Sequence, residues 1–199
     1  SGLAENAYGW WKITNGQVDF SYVGYEQSGS NWWYVYGGQV CFQATDVLPG
    51  TVGGQYGWWK VCEGKVNFDD DVCENAYGWW KITTGKVDFQ YTGLAQNACG
   101  WWMIQNGHVN FGSNGLVDNG NGWWLVRNGC VDFNYNGLVD NGNGWWLIRN
   151  GYVDFDYNGL VDNGNGWWLV KNGCVDFSYQ GYVQNECGVW WVSNGQVQF

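Results

Sequence analysis

The sequence predicts an all-β protein, a solenoid of nine stacked β-hairpin repeats of about 22 residues each. Three observations predict it. Trp pairs begin at Trp10, Trp32, Trp58, Trp79, Trp101, Trp123, Trp145 and Trp167, and a ninth unit keeps the register with Val189 and Trp190 in the two slots. A fixed period of this length is the signature of a repeat architecture. Each pair is followed at constant spacing by a two-residue turn such as Asn15-Gly16 or Asn128-Gly129. The composition agrees: 18 Trp, 13 Tyr and 9 Phe favour strands, 33 Gly supply turns, and Pro49 is the only proline.

The units run approximately 2–23, 24–46, 47–71, 72–92, 93–114, 115–136, 137–158, 159–180 and 181–199, and form a single array over 1–199. The three units from Gly115 to Gln180 are nearly identical, each reading GLVDNGNGWWL, then an Asn-Gly turn and Val-Asp-Phe. An insertion falls in 45–55, around Pro49.

Within the first unit, Trp10-Trp11-Lys12-Ile13 forms a short strand, Asn15-Gly16 is a strong hairpin turn, and Val18-Asp19-Phe20 begins the return strand. The turn fixes the register: Thr14 faces Gln17, Ile13 faces Val18, Lys12 faces Asp19 and Trp11 faces Phe20. Alternation then puts Trp11, Ile13, Val18 and Phe20 on one face, the expected core, and Trp10, Lys12, Asp19 and Ser21 on the other. The second Trp of each pair becomes a structural ladder, each burial contributing ~2–3 kcal/mol. Stacking is required because a lone hairpin is marginal in water.

Charge and length exclude several classes of function. A net charge of −10 opposes a phosphate-backbone partner, so no nucleic-acid binding is expected. No apolar run approaches the roughly 20 residues needed to cross a bilayer, so no membrane insertion is expected. Seven Cys without any Cys-x-x-Cys spacing suit an oxidising, extracellular setting rather than a zinc or redox site. Cys174 to Cys187 is the shortest plausible bridge between adjacent units, and free, half-buried thiols are the alternative. No metal or other cofactor is expected. Asp118-Asn119-Gly120-Asn121-Gly122 lacks the distal Glu of a calcium loop and reads as an Asx-type turn. The single histidine, His108, falls at an exposed position beside a turn with no partner for catalysis. The chain is therefore read as non-catalytic.

Gly-Trp, four residues, then Asn-Gly resembles the cell-wall-binding repeat superfamily, which includes the choline-binding and glucan-binding modules of Gram-positive surface proteins. GLVDNGNGWWLVRNGCVDFNYNG is also similar to the Trp-Trp/Val-Asp-Phe repeats on secreted proteins of anaerobic gut bacteria. The resemblance covers the whole chain. It implies hairpins stacked into a superhelical solenoid, with ligands held by aromatic side chains between successive hairpins. Choline-type repeats carry Trp-Tyr-Tyr on the second strand where this chain has Val18-Asp19-Phe20, so only the first Trp after glycine, such as Trp123 after Gly122, carries over as ligand-facing.

The candidate ligand-binding residues are therefore Trp10, Trp32, Trp58, Trp79, Trp101, Trp123, Trp145 and Trp167, exposed as stacking platforms for sugars or cages for a quaternary ammonium. Packing between hairpins is the competing reading of the same row. Asp132, Asp154 and Asp176 join the candidates because Leu125, Leu147 and Leu169 stand opposite them, whereas Asp19 and Asp88 face Lys12 and Lys81 and read as ion pairs. The expected function is attachment to a bacterial cell-wall polymer or other glycan, on a secreted or cell-surface protein. The alternatives are an adhesin-like array that binds a host surface protein or itself, and a spacer for an enzyme elsewhere in a longer chain.

Overall fold

The computed structural model describes residues 1–199, and every strand pairing in it is antiparallel. The 27 strands fall into nine consecutive sets of three, one set for each repeat expected from the Trp spacing. The all-β fold of repeated hairpins is therefore as the sequence predicts.

Each repeat is a meander of a leading strand, a Trp strand and a return strand. In the first repeat these are Gly2–Asn6, Gly9–Thr14 and Gln17–Val18. The leading strand was not anticipated, yet it makes the longest ladder, pairing Ala4 with Trp11 and Glu5 with Trp10. The return strand is shorter than expected. Ile13 pairs with Val18 and Thr14 with Gln17 as the turn dictates, but the strand stops at Val18, leaving one further backbone bond from Asp19 N–H to the Lys12 carbonyl at 2.9 Å. Beyond that point the second Trp changes partner: Trp11 pairs with Gln39, on the return strand of the next repeat.

The chain divides into two compact units. The first comprises residues 1–99 with 104–109, and the second 100–103 with 110–199. Within the first, the second Trp pairs with the next return strand as Trp33 with Lys65, Trp59 with Lys86 and Trp80 with His108. The third repeat is lengthened there to Asp46–Val52 and Gln55–Cys62, so the insertion around Pro49 extends a hairpin rather than adding a loop. Within the second unit the same pairing joins Trp102 with Cys130, Trp124 with Tyr152, Trp146 with Cys174 and Trp168 with Gln196.

The Asn-Gly turn is the joint that stacks one repeat on the next. In the seventh repeat the Gly151 carbonyl accepts from Leu125 N–H at 2.8 Å, and the Gly151 N–H donates to the Tyr135 carbonyl at 3.0 Å. Asn150 has φ of 50° and Gly151 of 77°, and a Cβ at Gly151 would lie 2.5 Å from the Asp132 carbonyl oxygen. Glycine is needed there twice over, for the left-handed backbone and for the close approach.

Burial corrects the assignment of faces. The deepest positions are the Ile13 and Val18 slots: Ile82, Ile104, Ile148, Val126, Val153 and Val170 are fully buried. Phe20, expected in the core, is 68% exposed, and its counterparts Phe42, Phe68, Phe89, Phe111, Phe133, Phe177 and Phe199 are exposed too. Conversely the Lys12 slot, expected on the outer surface, is buried in five repeats, holding Lys12 and Lys81 and then Leu125, Leu147 and Leu169, and is exposed only at Trp191. Both faces of a hairpin are covered because each Trp strand also lies against the following repeat, and the Phe slot escapes because the chain leaves the ladder at Val18.

Candidate aromatic binding site

The first Trp of each pair is half-buried rather than exposed. In five repeats it projects toward the next repeat and meets that repeat's second Trp. Ring centroids are 5.5 Å apart for Trp10 and Trp33, 5.3 Å for Trp58 and Trp80, and 5.3 Å for Trp101 and Trp124. The same contact is 5.3 Å for Trp123 and Trp146 and 4.9 Å for Trp145 and Trp168. Trp32 packs against the cluster holding Trp59, and Trp167 and Trp190 both pack against the cluster of Leu160, Leu169, Val192 and Val197. Trp79 is half-buried like the rest.

A third ring completes the group. Phe42 lies edge-on to both Trp10 and Trp33, at 6.2 and 5.3 Å, and Phe177 edge-on to Trp145 and Trp168, at 5.7 and 5.8 Å. Edge-to-face contacts at these separations are favourable aromatic geometry. These clusters thus join the first Trp of one repeat to the second Trp and Phe of the next, and, except at half-buried Phe155, the exposed member is the Phe. Sequence reasoning missed that residue because a period of two was carried past Val18, where the strand had ended. Its regular recurrence four residues after the turn glycine was the available signal.

The second Trp has a different polar partner in different repeats. Trp11 Nε1 donates to Asn6 Oδ1 at 3.1 Å, and Trp80 and Trp190 donate to Asn75 and Asn185 at 2.9 Å. In the three near-identical repeats the corresponding Asn119, Asn141 and Asn163 accept instead from Asn121, Asn143 and Asn165 N–H at 3.0 Å. Trp124, Trp146 and Trp168 Nε1 are buried without a hydrogen-bond partner. A buried, unmet donor costs ~1–3 kcal/mol, so the changed loop costs stability beside the aromatic clusters.

The acidic candidates are engaged in structure. Asp132, Asp154 and Asp176 form ion pairs with Arg127 at 3.4 Å, Arg149 at 3.1 Å and Lys171 at 2.9 Å. These partners stand just before the turn rather than opposite the Asp, which is why the cross-strand rule missed them. Arg127 and Arg149 also lie over Tyr135 and Tyr157 at 4.2 and 4.5 Å. Hydrogen bonds from the Ser178 side chain and from Lys171 hold the Asp176 carboxyl below its ordinary range.

The two pairs expected across the hairpin do not form. Lys12 binds Glu26 at 2.7 Å and Lys81 binds Asp70 at 3.4 Å, while Asp19 accepts from Ser21 and Thr14. His108, expected to be solvated, is exposed but lies against Trp80, the rings tilted by 46° with 3.7 Å between centroids. The loop at Asp118 is an Asx-type turn as expected, with Asp118 Oδ1 accepting from Gly120 N–H at 2.8 Å. All seven cysteines carry free thiols; Cys99 and Cys187 are exposed and the others half-buried.

Fold and clusters together define a hairpin-repeat protein whose aromatic rings gather at the junctions between repeats. The chain matches the choline-binding repeat model over residues 1–19, 90–110, 112–132, 134–154 and 156–176, more than half its length, and belongs to that family. The family is one of cell-wall-binding repeats. No curated protein matches it at significance.

Among solved structures it is similar to choline binding protein F from Streptococcus pneumoniae, with 19% identity over 92% of this chain and 61% of that one and a TM-score of 0.39. The same protein in the presence of a peptidoglycan analogue matches at 12% identity over 99% and 86% of the two chains, TM-score 0.34. The modular autolysin LytC from Streptococcus pneumoniae matches at 11% identity over 100% and 53%, TM-score 0.31. The chain spans about three fifths of the first of these proteins.

Proposed function

We propose that this chain is a non-catalytic module of a secreted or cell-surface protein, whose nine repeats act as one array holding a cell-wall polymer or other glycan at the junction clusters. The observation that supports it is the recurrence of the same trio, such as Trp123, Trp146 and Phe155 or Trp145, Trp168 and Phe177. The trio offers aromatic surface either to the apolar face of a sugar ring or to a quaternary ammonium carried on the polymer, the latter through cation–π attraction of ~0.5–2 kcal/mol. Asp132, Asp154 and Asp176, each next to its Phe slot, are already paired with Arg127, Arg149 and Lys171, so the aromatic faces rather than these carboxylates carry the attraction. Each site is weak alone, and repetition along a polymer raises the overall affinity.

The test is a cell-wall pull-down with Trp123, Trp145 and Trp167 changed together to Ala. A second variant changes Phe133, Phe155 and Phe177 to Ala. The Phe variant keeps the circular dichroism of the parent because two of the three side chains are exposed and none is in the deep core. Both variants are expected to lose most binding, and free choline or defined glycans added as competitors identify the ligand class. Normal wall binding by a folded Phe variant and by the Trp variant would sink the proposal.

A further inference from the structure

The chain contains fifteen Asn-Gly steps, the dipeptide in which an asparagine is most open to intramolecular attack. Glycine leaves its own amide nitrogen unhindered. The structure treats these steps very differently.

At the hairpin turns the attacking nitrogen is occupied. Gly107, Gly129, Gly151, Gly173 and Gly195 each donate their N–H to a carbonyl of the repeat before, at 2.9 to 3.3 Å, and the preceding Asn is held at φ near 50°. Gly16 is the hairpin-turn exception, with no such acceptor. At Asn114, Asn136 and Asn158 the side chain is occupied instead: each Oδ1 accepts from a turn Asn N–H at 3.0 Å and each Nδ2 donates to a carbonyl at 3.0 to 3.1 Å. At Asn119, Asn141 and Asn163 the following glycine donates to an Asp carboxylate at 2.8 Å.

Three steps escape all of these restraints, whereas Asn15-Gly16 keeps only the turn φ of 52° at Asn15. Asn121, Asn143 and Asn165 are exposed, their side-chain amides make no hydrogen bond, and the N–H groups of Gly122, Gly144 and Gly166 make none either. They occupy the same place in the three near-identical repeats, two residues before Trp123, Trp145 and Trp167.

We infer that Asn121, Asn143 and Asn165 are sites of spontaneous deamidation, a modification selected by the turn structure of the repeat. The Gly122 amide nitrogen attacks the Asn121 side-chain carbonyl carbon, forming a C–N bond. The bond to Nδ2 breaks, and ammonia leaves carrying the proton shed by the nucleophile. Water then opens the resulting succinimide, giving aspartate or isoaspartate. Each event places a carboxylate beside the first Trp of a junction cluster, so an aged molecule carries up to three further negative charges along one row of equivalent turns.

The experiment incubates the full chain at mildly alkaline pH and follows each Asn by peptide mass spectrometry, in native buffer and in denaturant. In the native protein Asn121, Asn143 and Asn165 are expected to convert about tenfold faster than Asn128, Asn150 and Asn172, a barrier difference of ~1.4 kcal/mol. In denaturant the two groups are expected to converge, since all six are followed by glycine. Equal rates in the native protein, or the same ranking in denaturant, would overturn the inference. This outcome is independent of ligand, so it stands or falls separately from the binding proposal.

Discussion

Ile148 and Phe133 illustrate how unequal the aromatic and aliphatic positions of this chain are, for Ile148 is fully buried and Phe133 is 41% exposed. Ile148→Ala is expected to lower stability by ~2–5 kcal/mol, read as a reduced denaturation midpoint, whereas Phe133→Ala leaves the midpoint close to the parent. Thiol chemistry separates residues in the same way. Burial, with the Asp71 charge adding to it, pushes the Cys73 thiol up to about 12. Alkylation at neutral pH is expected to reach exposed Cys99 and Cys187 well before Cys73, and equal labelling would contradict the placement. The Lys60–Asp71 pair, 2.6 Å apart, gives a pH signature. Burial alone would raise the Asp71 carboxyl, but the Lys60 hydrogen bond and the Val72 N–H outweigh it and hold it low. Burial would lower Lys60, but the hydrogen bond and charge of Asp71 raise it. The Asp71 contribution is therefore complete above about pH 3.9 and is lost as pH falls from there through its folded value, and the Lys60 contribution is complete below about pH 10.4 and is lost as pH rises through its folded value. Asp71→Asn is expected to flatten the acid limb of a stability-against-pH curve.

At the scale of the element, the Asn-Gly turn was fully legible in the sequence, because positive φ leaves few residue choices. Its second role as the inter-repeat joint was not, since a backbone bond between repeats leaves no side-chain pattern. Two glycines of similar φ separate these roles: Gly173, at 77°, would place a Cβ 2.5 Å from the Asp154 carbonyl oxygen, while Gly142, at 83°, has nothing within 4 Å. Both alanine variants pay ~1–2 kcal/mol for a left-handed backbone, and Gly173→Ala is expected to lose measurably more in thermal unfolding. The leading strands escaped the sequence reading because Gly-Leu-Val-Asp is too short to show alternation. The return strands were overextended because Val-Asp-Phe does alternate, although its last residue has already left the ladder.

For the whole molecule, the period, the number of repeats and the all-β class were readable because near-identical units repeat every register position. The make-up of the aromatic clusters was readable only in part. Trp123 and Trp145 stand in the row picked out from the sequence, but the rings packed on them, Trp146, Trp168 and the Phe slot, lie in the next repeat, and contacts between repeats are invisible to an analysis of one hairpin. Within the second compact unit the contacts of Trp124 with Tyr152 and of Trp146 with Cys174 are equivalent. Deleting 137–158 would bring Trp124 opposite Cys174 instead. The shortened chain is expected to fold, with a smaller denaturant m-value, since stability in a repeat array is approximately a sum of nearest-neighbour contributions.

A cluster shared between two successive hairpins also bears on how such a chain can grow. A gene segment duplicated in phase with the period yields a complete new junction wherever the crossover falls, because the copy brings one half of a cluster at its front and the complementary half at its end. Lengthening therefore never creates an orphaned half-site inside the array. The three nearly identical copies from Gly115 to Gln180 have the form expected of such recent, in-phase duplication.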